Sequence, residues 1–550
     1  MRHRRRGCQQ RKSGTGARKP AGTRRDRNNA AGATPSSAFA LLHVGPIVHN
    51  SSMPPTLNPD PPALVAADRA FDRATGAPST DGNAVRLLLD AAQNYPAWLS
   101  AIERAQRFVL FESYIVDDDA VGQAFAAALA ARARAGVHVF VVYDWLGSFR
   151  ADALWPPLRA AGADVRGFNA PRLASPLGWL ARDHRKTIVV DGEVGFVSGL
   201  CVSAKWQGNP QRALEPWRDT GVALRGPAVG ELVSAFADVW RACGGTALPS
   251  AVTVLPVPAE CADAVRVRVV AGAPNTTGTY RLDLTIAGLA RQYLWLTDAY
   301  FVGTAAYVQA LAAAARDGVD VRLLVPGASD IPVVASISRS VYRPLLDAGV
   351  RVFEWNGSML HAKTAVADGT WARVGSTNLN LASWLGNYEL DLAIEDAAFA
   401  EQMATQYEDD LERATEVVLT RRNRVQPTDR AAHGQGVRRA LSGSAGRAAA
   451  GAVSVGSTLG AALTNRRRLG PAEARLLMQV GAAVLLLAVI AVLWPRAVAW
   501  PFAALAGWIG LAALVRAWSL RRRRIRPAGS RARDPSAGAG REGGVDDNSG

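Results

Sequence analysis

His184-Arg-Lys186-Thr-Ile-Val-Val-Asp191-Gly192 and His361-Ala-Lys363-Thr-Ala-Val-Ala-Asp368-Gly369 are one pattern, His-x-Lys-x4-Asp-Gly, written twice in a chain of 550 residues. The chain holds seven His, and its only lysines are Lys12, Lys19, Lys186, Lys205 and Lys363 among 63 basic residues. At those frequencies a double match by chance is on the order of 10⁻⁵. Residues two apart on a strand point to the same face, so each His and its Lys are expected to project together. Asp-Gly is the signature of a tight hairpin turn, expected after each strand. A composition that otherwise favours Arg has placed a compact ammonium at both motif positions.

The surroundings of the two motifs repeat as well. RFVLFESYIV (107–116), QAFAAALAARARAG (123–136) and VHVFVVYDW (137–145) read as strand, helix and strand. QYLWLTDAYFV (292–302), YVQALAAAARDG (307–318) and VDVRLLV (319–325) read the same way, with Gly136 and Gly318 as matching helix stops. LRAAGADVRGF (158–168) parallels LLDAGVRVFEW (345–355). The chain is therefore an internal duplication, with halves at 101–255 and 265–415. Strands alternating with crossover helices predict an α/β fold and a mostly parallel sheet in each half.

Outside the halves the composition changes. Residues 1–52 hold 11 Lys+Arg against one acid, a net of +10, and read as a disordered basic segment; Met53 is read as an alternative start. Residues 53–100 are a lead-in, and 421–474 a basic linker. Within 475–519, the stretches 476–494 and 497–515 each run 19 residues without a charge. Each is long enough for a membrane span. Arg466 to Arg468 and Arg521 to Arg524 flank the pair, and Trp494, Trp500 and Trp518 lie near the expected interfaces, so a C-terminal transmembrane helical hairpin is expected. Residues 520–550 read as a disordered basic tail. With positive charge on both outer flanks, the duplicated halves and the tail are expected on the cytoplasmic side of the membrane.

The formal charge of +16 divides unevenly. Residues 421–550 carry 21 basic against 6 acidic residues, a net of +15, and residues 53–420 carry 31 against 40, a net of −9. A nucleic-acid enzyme usually puts its positive charge around its cleft. Here the globular part lacks it, so no nucleic-acid partner is expected and a nuclease ranks last among the readings. Cys8, Cys201, Cys243 and Cys261 show neither metal spacing nor a disulfide pattern.

Two imidazoles can serve as nucleophile and general acid, and two ammonium groups can hold phosphoryl oxygens. That set needs no metal and no cofactor. The motifs resemble those of the phospholipase D superfamily over about 101–415, and within it WRDTGVALRGPAV (217–229) and GSTNLNLASWLGNYELDLAI (375–394) are similar to bacterial cardiolipin synthases. The resemblance implies two pseudo-symmetric α/β/α sandwich halves around one site. It implies His184 as nucleophile forming a phosphatidyl-histidine, and His361 as the acid that then becomes the base. Lys186, Lys363, Asp191 and Asp368 complete its catalytic set, although the two aspartates are expected to fix the turns rather than touch substrate. Asn378 and Ser376, from the family's Gly-Ser-x-Asn, would bind substrate; Asp219 and Glu389 would orient His361 and His184 across the halves. The implied reaction joins two phosphatidylglycerols into cardiolipin and glycerol; the alternative is hydrolysis of phospholipid to phosphatidic acid. One departure stands out: the first half reads Ser198-Gly199-Leu200-Cys201, with a thiol where an Asn amide is expected.

Overall fold

Short apolar runs, most of them closed by turn residues, build sixteen strands among the described residues of the computed structural model. It describes residues 61–170, 181–253, 264–419 and 425–427, with scattered positions between 482 and 514. The strands are β1 (Ser79–Leu89), β2 (Phe108–Ser113), β3 (His138–Asp144), β4 (Asp164–Phe168), β5 (Lys186–Val190), β6 (Val194–Ser198), β7 (Thr220–Arg225), β8 (Val265–Gly272), β9 (Tyr293–Thr297), β10 (Asp320–Pro326), β11 (Arg351–Trp355), β12 (Thr364–Ala367), β13 (Trp371–Gly375), β14 (Glu389–Glu395), β15 (Ala414–Leu419) and β16 (Val425–Pro427).

Read outward from its centre, the sheet runs β1-β7-β6-β5-β2-β3-β4 to one side and β8-β14-β13-β12-β9-β10-β11 to the other, with β15 and β16 beyond β11. The two series match strand for strand, which is the duplication in three dimensions. β1 pairs antiparallel with both β7 and β8, so the halves share one continuous sheet. The expectation of a mostly parallel sheet needs correction. Pairing is parallel only across β2, β3 and β4 and across β9, β10 and β11, where helices make the crossovers. The strands following each motif are hairpins and pair antiparallel.

Local chemistry explains the crossovers. The helix Ala120–Arg134 starts where the Asp119 carboxylate accepts the backbone N–H groups of Val121 and Gly122. It stops before Gly136 at φ 87°, and its twin Ala305–Arg316 stops before Gly318 at φ 94°, a left-handed geometry that glycine adopts without strain. The lead-in carries structure of its own. β1 and the helix Asp90–Arg104 open the first half as β8 and the helix Gly278–Leu289 open the second. The preceding helix, Pro61–Thr75, packs on the second half, where Phe71 stacks on Trp371 at 6.0 Å.

Helices cover both faces of the sheet. On the face common to both halves, the helix Val229–Ala242 and the helix Ala397–Glu412 bury a single apolar core that runs from Leu110 and Val189 to Val366 and Val374. The opposite face is buried half by half, against Trp98, Phe125 and Trp155 in the first and Ile286, Leu311 and Tyr342 in the second. The apolar stretches 476–494 and 497–515 lie for the most part outside the described residues; no helix among the described residues is long and apolar enough to cross a membrane.

Candidate active site

Each motif begins just ahead of a strand rather than on it. Lys186 opens β5 and Lys363 immediately precedes β12, while the histidines sit two residues earlier in extended segments that cross to the other half. The crossing explains the departure from a simple strand. The Tyr388 N–H donates to the Arg182 carbonyl at 2.8 Å and the His184 N–H to the Tyr388 carbonyl at 2.9 Å. Symmetrically, the Arg218 N–H donates to the Met359 carbonyl at 2.9 Å and the His361 N–H to the Arg218 carbonyl at 2.7 Å. Tyr388 precedes Glu389 and Arg218 precedes Asp219. These bridges carry each acid to the imidazole of the opposite half.

His184 Nδ1 lies 2.9 Å from Glu389 Oε2, and His361 Nδ1 lies 2.7 Å from Asp219 Oδ2. A carboxylate on Nδ1 holds the proton there and leaves Nε2 free toward the cleft. Both pairs are buried. Burial lowers the His184 imidazole to about 4 and, with the Lys363 ammonium added, His361 to about 3; the facing carboxylates oppose this and do not overcome it. Burial alone would raise Glu389 and Asp219, yet the imidazoles and ammonium groups hold both below the ordinary carboxylate range. Burial also lowers Lys363, to about 8. The site thus has two neutral imidazoles and two carboxylates, with cationic groups in poor solvation. Such a set favours the arrival of an anion.

The lysines cap their own motifs: Lys186 Nζ donates to the His184 carbonyl and Lys363 Nζ to the His361 carbonyl. Lys186 Nζ stands 5.1 Å from the Tyr114 ring centre and Lys363 Nζ 5.9 Å from that of Tyr300, a second matched pair. The cleft between the halves is lined by both histidines and by Tyr114, Tyr300 and Trp217. One wall is apolar, with Val302, Ile331, Val334 and Ile337; the other carries Asn378, Asn380, Ser383 and Asn387. Tyr114, Tyr300 and Trp217 carry no sequence signal beyond their closeness to strand ends and to Asp219.

Two groups of expected site residues lie elsewhere. Asp191 accepts the backbone N–H groups of Gln106, Arg107 and Phe108 at 2.7–2.8 Å, and Asp368 those of Arg291, Gln292 and Tyr293 at 2.8–2.9 Å. Both have positive φ, as do Gly192 and Gly369, and both turns close with a hydrogen bond back to the preceding strand. They clamp the motif hairpin to the start of the neighbouring strand, at the strand end away from the histidines. Ser376, expected at the substrate, is placed otherwise: its hydroxyl donates to Glu389 Oε2 at 2.6 Å and accepts from the Leu390 N–H, which leaves it facing the acid rather than the cleft. Asn378 does line the cleft, and its Oδ1 has no hydrogen-bond partner among the described residues. Its counterpart Cys201 is buried in the first-half core, its thiol pushed up by burial, and its carbonyl accepts the Tyr95 hydroxyl at 2.7 Å. Ser198 donates to the Leu200 carbonyl at 3.3 Å and does not replace the missing amide. The amide side chains that line the cleft, Asn378, Asn380 and Asn387, thus all come from the second half. Among the described residues no group of three or more His, Cys, Asp or Glu is placed to hold a metal ion.

Paired halves that share one sheet and face two histidine–carboxylate dyads across one cleft define a phospholipase D-type phosphodiester enzyme. Residues 285–411 match the sequence profile of the cardiolipin synthase, PLD-like domain. A cardiolipin synthase A of Pseudomonas aeruginosa is 35% identical over 354 residues, spanning 63% of this chain and 71% of that one. That of Pseudomonas putida is 34% identical over 364 residues, spanning 64% and 73%. The crystal structure of a phosphatidylserine synthase from Haemophilus influenzae superposes with a TM-score of 0.51 at 14% identity, over 64% of this chain and 92% of the other, a likeness of fold. The chain belongs to the cardiolipin synthase family, phosphatidyltransferases of the phospholipase D superfamily.

Proposed function

We propose that the cleft transfers a phosphatidyl group from one phosphatidylglycerol to the terminal hydroxyl of a second, giving cardiolipin and glycerol. The observation that carries this reading is the pair of crossed dyads: each Nε2 is left free by a carboxylate supplied from the other half. His184 Nε2 attacks phosphorus, and the bond to the leaving glycerol breaks as His361 delivers a proton to its oxygen. The acceptor hydroxyl then returns that proton to His361 and displaces His184. A phosphodiester anion seated between Lys186 and Lys363 supplies the counter-charge that burial withholds, which raises the proton affinity of His361 in the complex. Asn378 adds an amide to the same oxygens. Asp219 and Glu389 orient the imidazoles; Asp191 and Asp368 hold the hairpins.

The two uncharged 19-residue stretches form the membrane hairpin in this reading, with the catalytic halves at 101–255 and 265–415 on the cytoplasmic face. A site so held meets lipid alcohols at high local concentration. Expression in a cardiolipin-deficient bacterium, with lipids read by mass spectrometry, tests the reaction. Cardiolipin should appear with the full chain and be absent with His184→Ala and with His361→Ala. Phosphatidic acid without cardiolipin would replace transfer by hydrolysis, and full activity in either single variant would end the shared-site model.

A further inference from the structure

The two dyads share a carboxylate on Nδ1 and differ around it: the Ser376 carbonyl lies 3.1 Å from His184 Nδ1, Lys363 Nζ lies 3.0 Å from His361 Nδ1, and the groups behind the two carboxylates are different. Glu389 Oε2, which faces His184, also receives the Ser376 hydroxyl at 2.6 Å. Asp219 Oδ2, which faces His361, receives the Trp206 indole N–H at 2.8 Å. The exchange is built into the backbone. Gly199 occupies the place of Ser376, each directly following the last residue of a matched strand, Ser198 of β6 and Gly375 of β13. A Cβ on Gly199 would lie 2.2 Å from Asp219 Oδ1, so no serine fits there while the carboxylate holds its position.

The donor comes instead from the short helix Ala204–Gln207, whose entry is set by the Ser203 hydroxyl accepting the Lys205 N–H. Trp206 is wholly buried, and its ring meets the His361 imidazole edge-on, with centres 5.1 Å apart. The difference has chemical content. A hydroxyl both donates and accepts, and Ser376 does both; an indole N–H only donates. Among the described residues, the donors on the Asp219 carboxylate are all N–H groups, the Trp206 indole and the His361 imidazole on Oδ2 and the Thr220 backbone amide on Oδ1, and neither the indole nor the amide can take a proton onward.

We propose that Trp206 is a positioning residue for the acid/base half of the reaction. Acting through Asp219, it fixes the rotation of that carboxylate and so the direction of His361 Nε2, and it keeps the exchanged proton between His361 and the substrate oxygens. This rests on the reading of His361 as the acid/base. It predicts a defect confined to steps in which an oxygen must be protonated or deprotonated.

The test compares single-turnover formation of the covalent intermediate by the full chain in detergent–lipid micelles, from phosphatidylglycerol and from a phosphatidyl ester of p-nitrophenol. Glycerol must be protonated as it leaves; nitrophenolate departs without a proton. Trp206→Phe keeps an aromatic ring and removes the N–H. It should slow the phosphatidylglycerol reaction roughly tenfold or more and the nitrophenyl reaction by less than about threefold. His361→Ala should show the same split in larger measure. Equal losses on both substrates, or no loss on either, would overturn the role of Trp206. A split in His361→Ala with none in Trp206→Phe removes Trp206 alone; no split in His361→Ala removes the acid/base reading and the proposal with it. If the phenylalanine variant does not fold, benzothienylalanine at position 206, with sulfur in place of N–H, allows the same comparison.

Discussion

Glu389→Gln tests whether charge, rather than shape, is what His184 needs from the opposite half. The glutamine fits the same space, and its oxygen can still accept the Nδ1 proton 2.9 Å away. What disappears is the negative charge. As Nε2 bonds to phosphorus, positive charge grows on the imidazole, and unit charges about 4 Å apart at an effective dielectric of about 20 interact by about 4 kcal/mol. With between half and all of the charge developed at the transition state, the loss is about 2–4 kcal/mol, or about 30- to 1,000-fold in rate. The substitution also gives the Ser376 hydroxyl (2.6 Å) and the Asn387 amide (3.2 Å) one amide in place of two carboxylate oxygens, so one of the three donors loses its acceptor. The assay is single-turnover formation of phosphatidyl-enzyme, with KM measured alongside. The loss should fall on the rate with both phosphatidylglycerol and the nitrophenyl ester, because nucleophilic attack is common to both leaving groups. A rate within about fivefold of wild type, or a change in KM alone, would refute the electrostatic argument.

Asp191→Ala and Asp368→Ala should each lower stability by about 3 kcal/mol, because three backbone N–H groups lose a charged acceptor. Chemical denaturation reads that loss, and the folded fraction should keep its kcat within a few-fold; a large kcat loss at unchanged stability would return these aspartates to the catalytic set. Stability should also fall as the solution is acidified. His184 and His361 take up protons near 4 and 3 when folded, against about 6.5 unfolded, so from about pH 6.5 downward the unfolded chain binds protons that the folded chain refuses. Each contributes a loss of up to about 1.4 kcal/mol per pH unit over that window, and Asp219 and Glu389, lowered in the fold, add a loss of the same sign once the pH reaches the ordinary carboxylate range. A His184→Asn, His361→Asn double variant should show a shallower slope between about pH 6.5 and about pH 4. Truncation near residue 470 should release the chain from membranes in high salt; unchanged association would remove the hairpin.

What is legible in the sequence is whatever repeats at fixed spacing. The doubled motif, the Asp-Gly turns and the glycine stops at 136 and 318 are local features, decided by a few bonds within one element. The places where expectation and structure part are those where a side chain's partner lies far along the chain. Asp191 is legible as a turn residue, but the N–H groups it holds lie 83–85 residues away, at the head of the neighbouring strand, and no spacing announces them. Ser376 looks like a phosphate ligand until Glu389 is folded back onto it by the β13–β14 hairpin. β1 and the helix after it read as lead-in because STDGNAVRLLL does not alternate and Pro96 sits inside the helix Asp90–Arg104. The sheet pairs that complete β1 come from residues 220–225 and 265–268, which no local pattern announces. Trp206 is the furthest case. Nothing in SAKWQGN marks its indole, and it acquires a role only because Gly199 leaves room for the Asp219 carboxylate to turn toward it. In a duplicated enzyme, matched positions report the shared chemistry. Mismatched ones, Gly199 against Ser376 and Cys201 against Asn378, mark where the halves differ: the second half alone puts an Asn amide on the cleft at this position, and the first alone sets an indole N–H behind its carboxylate.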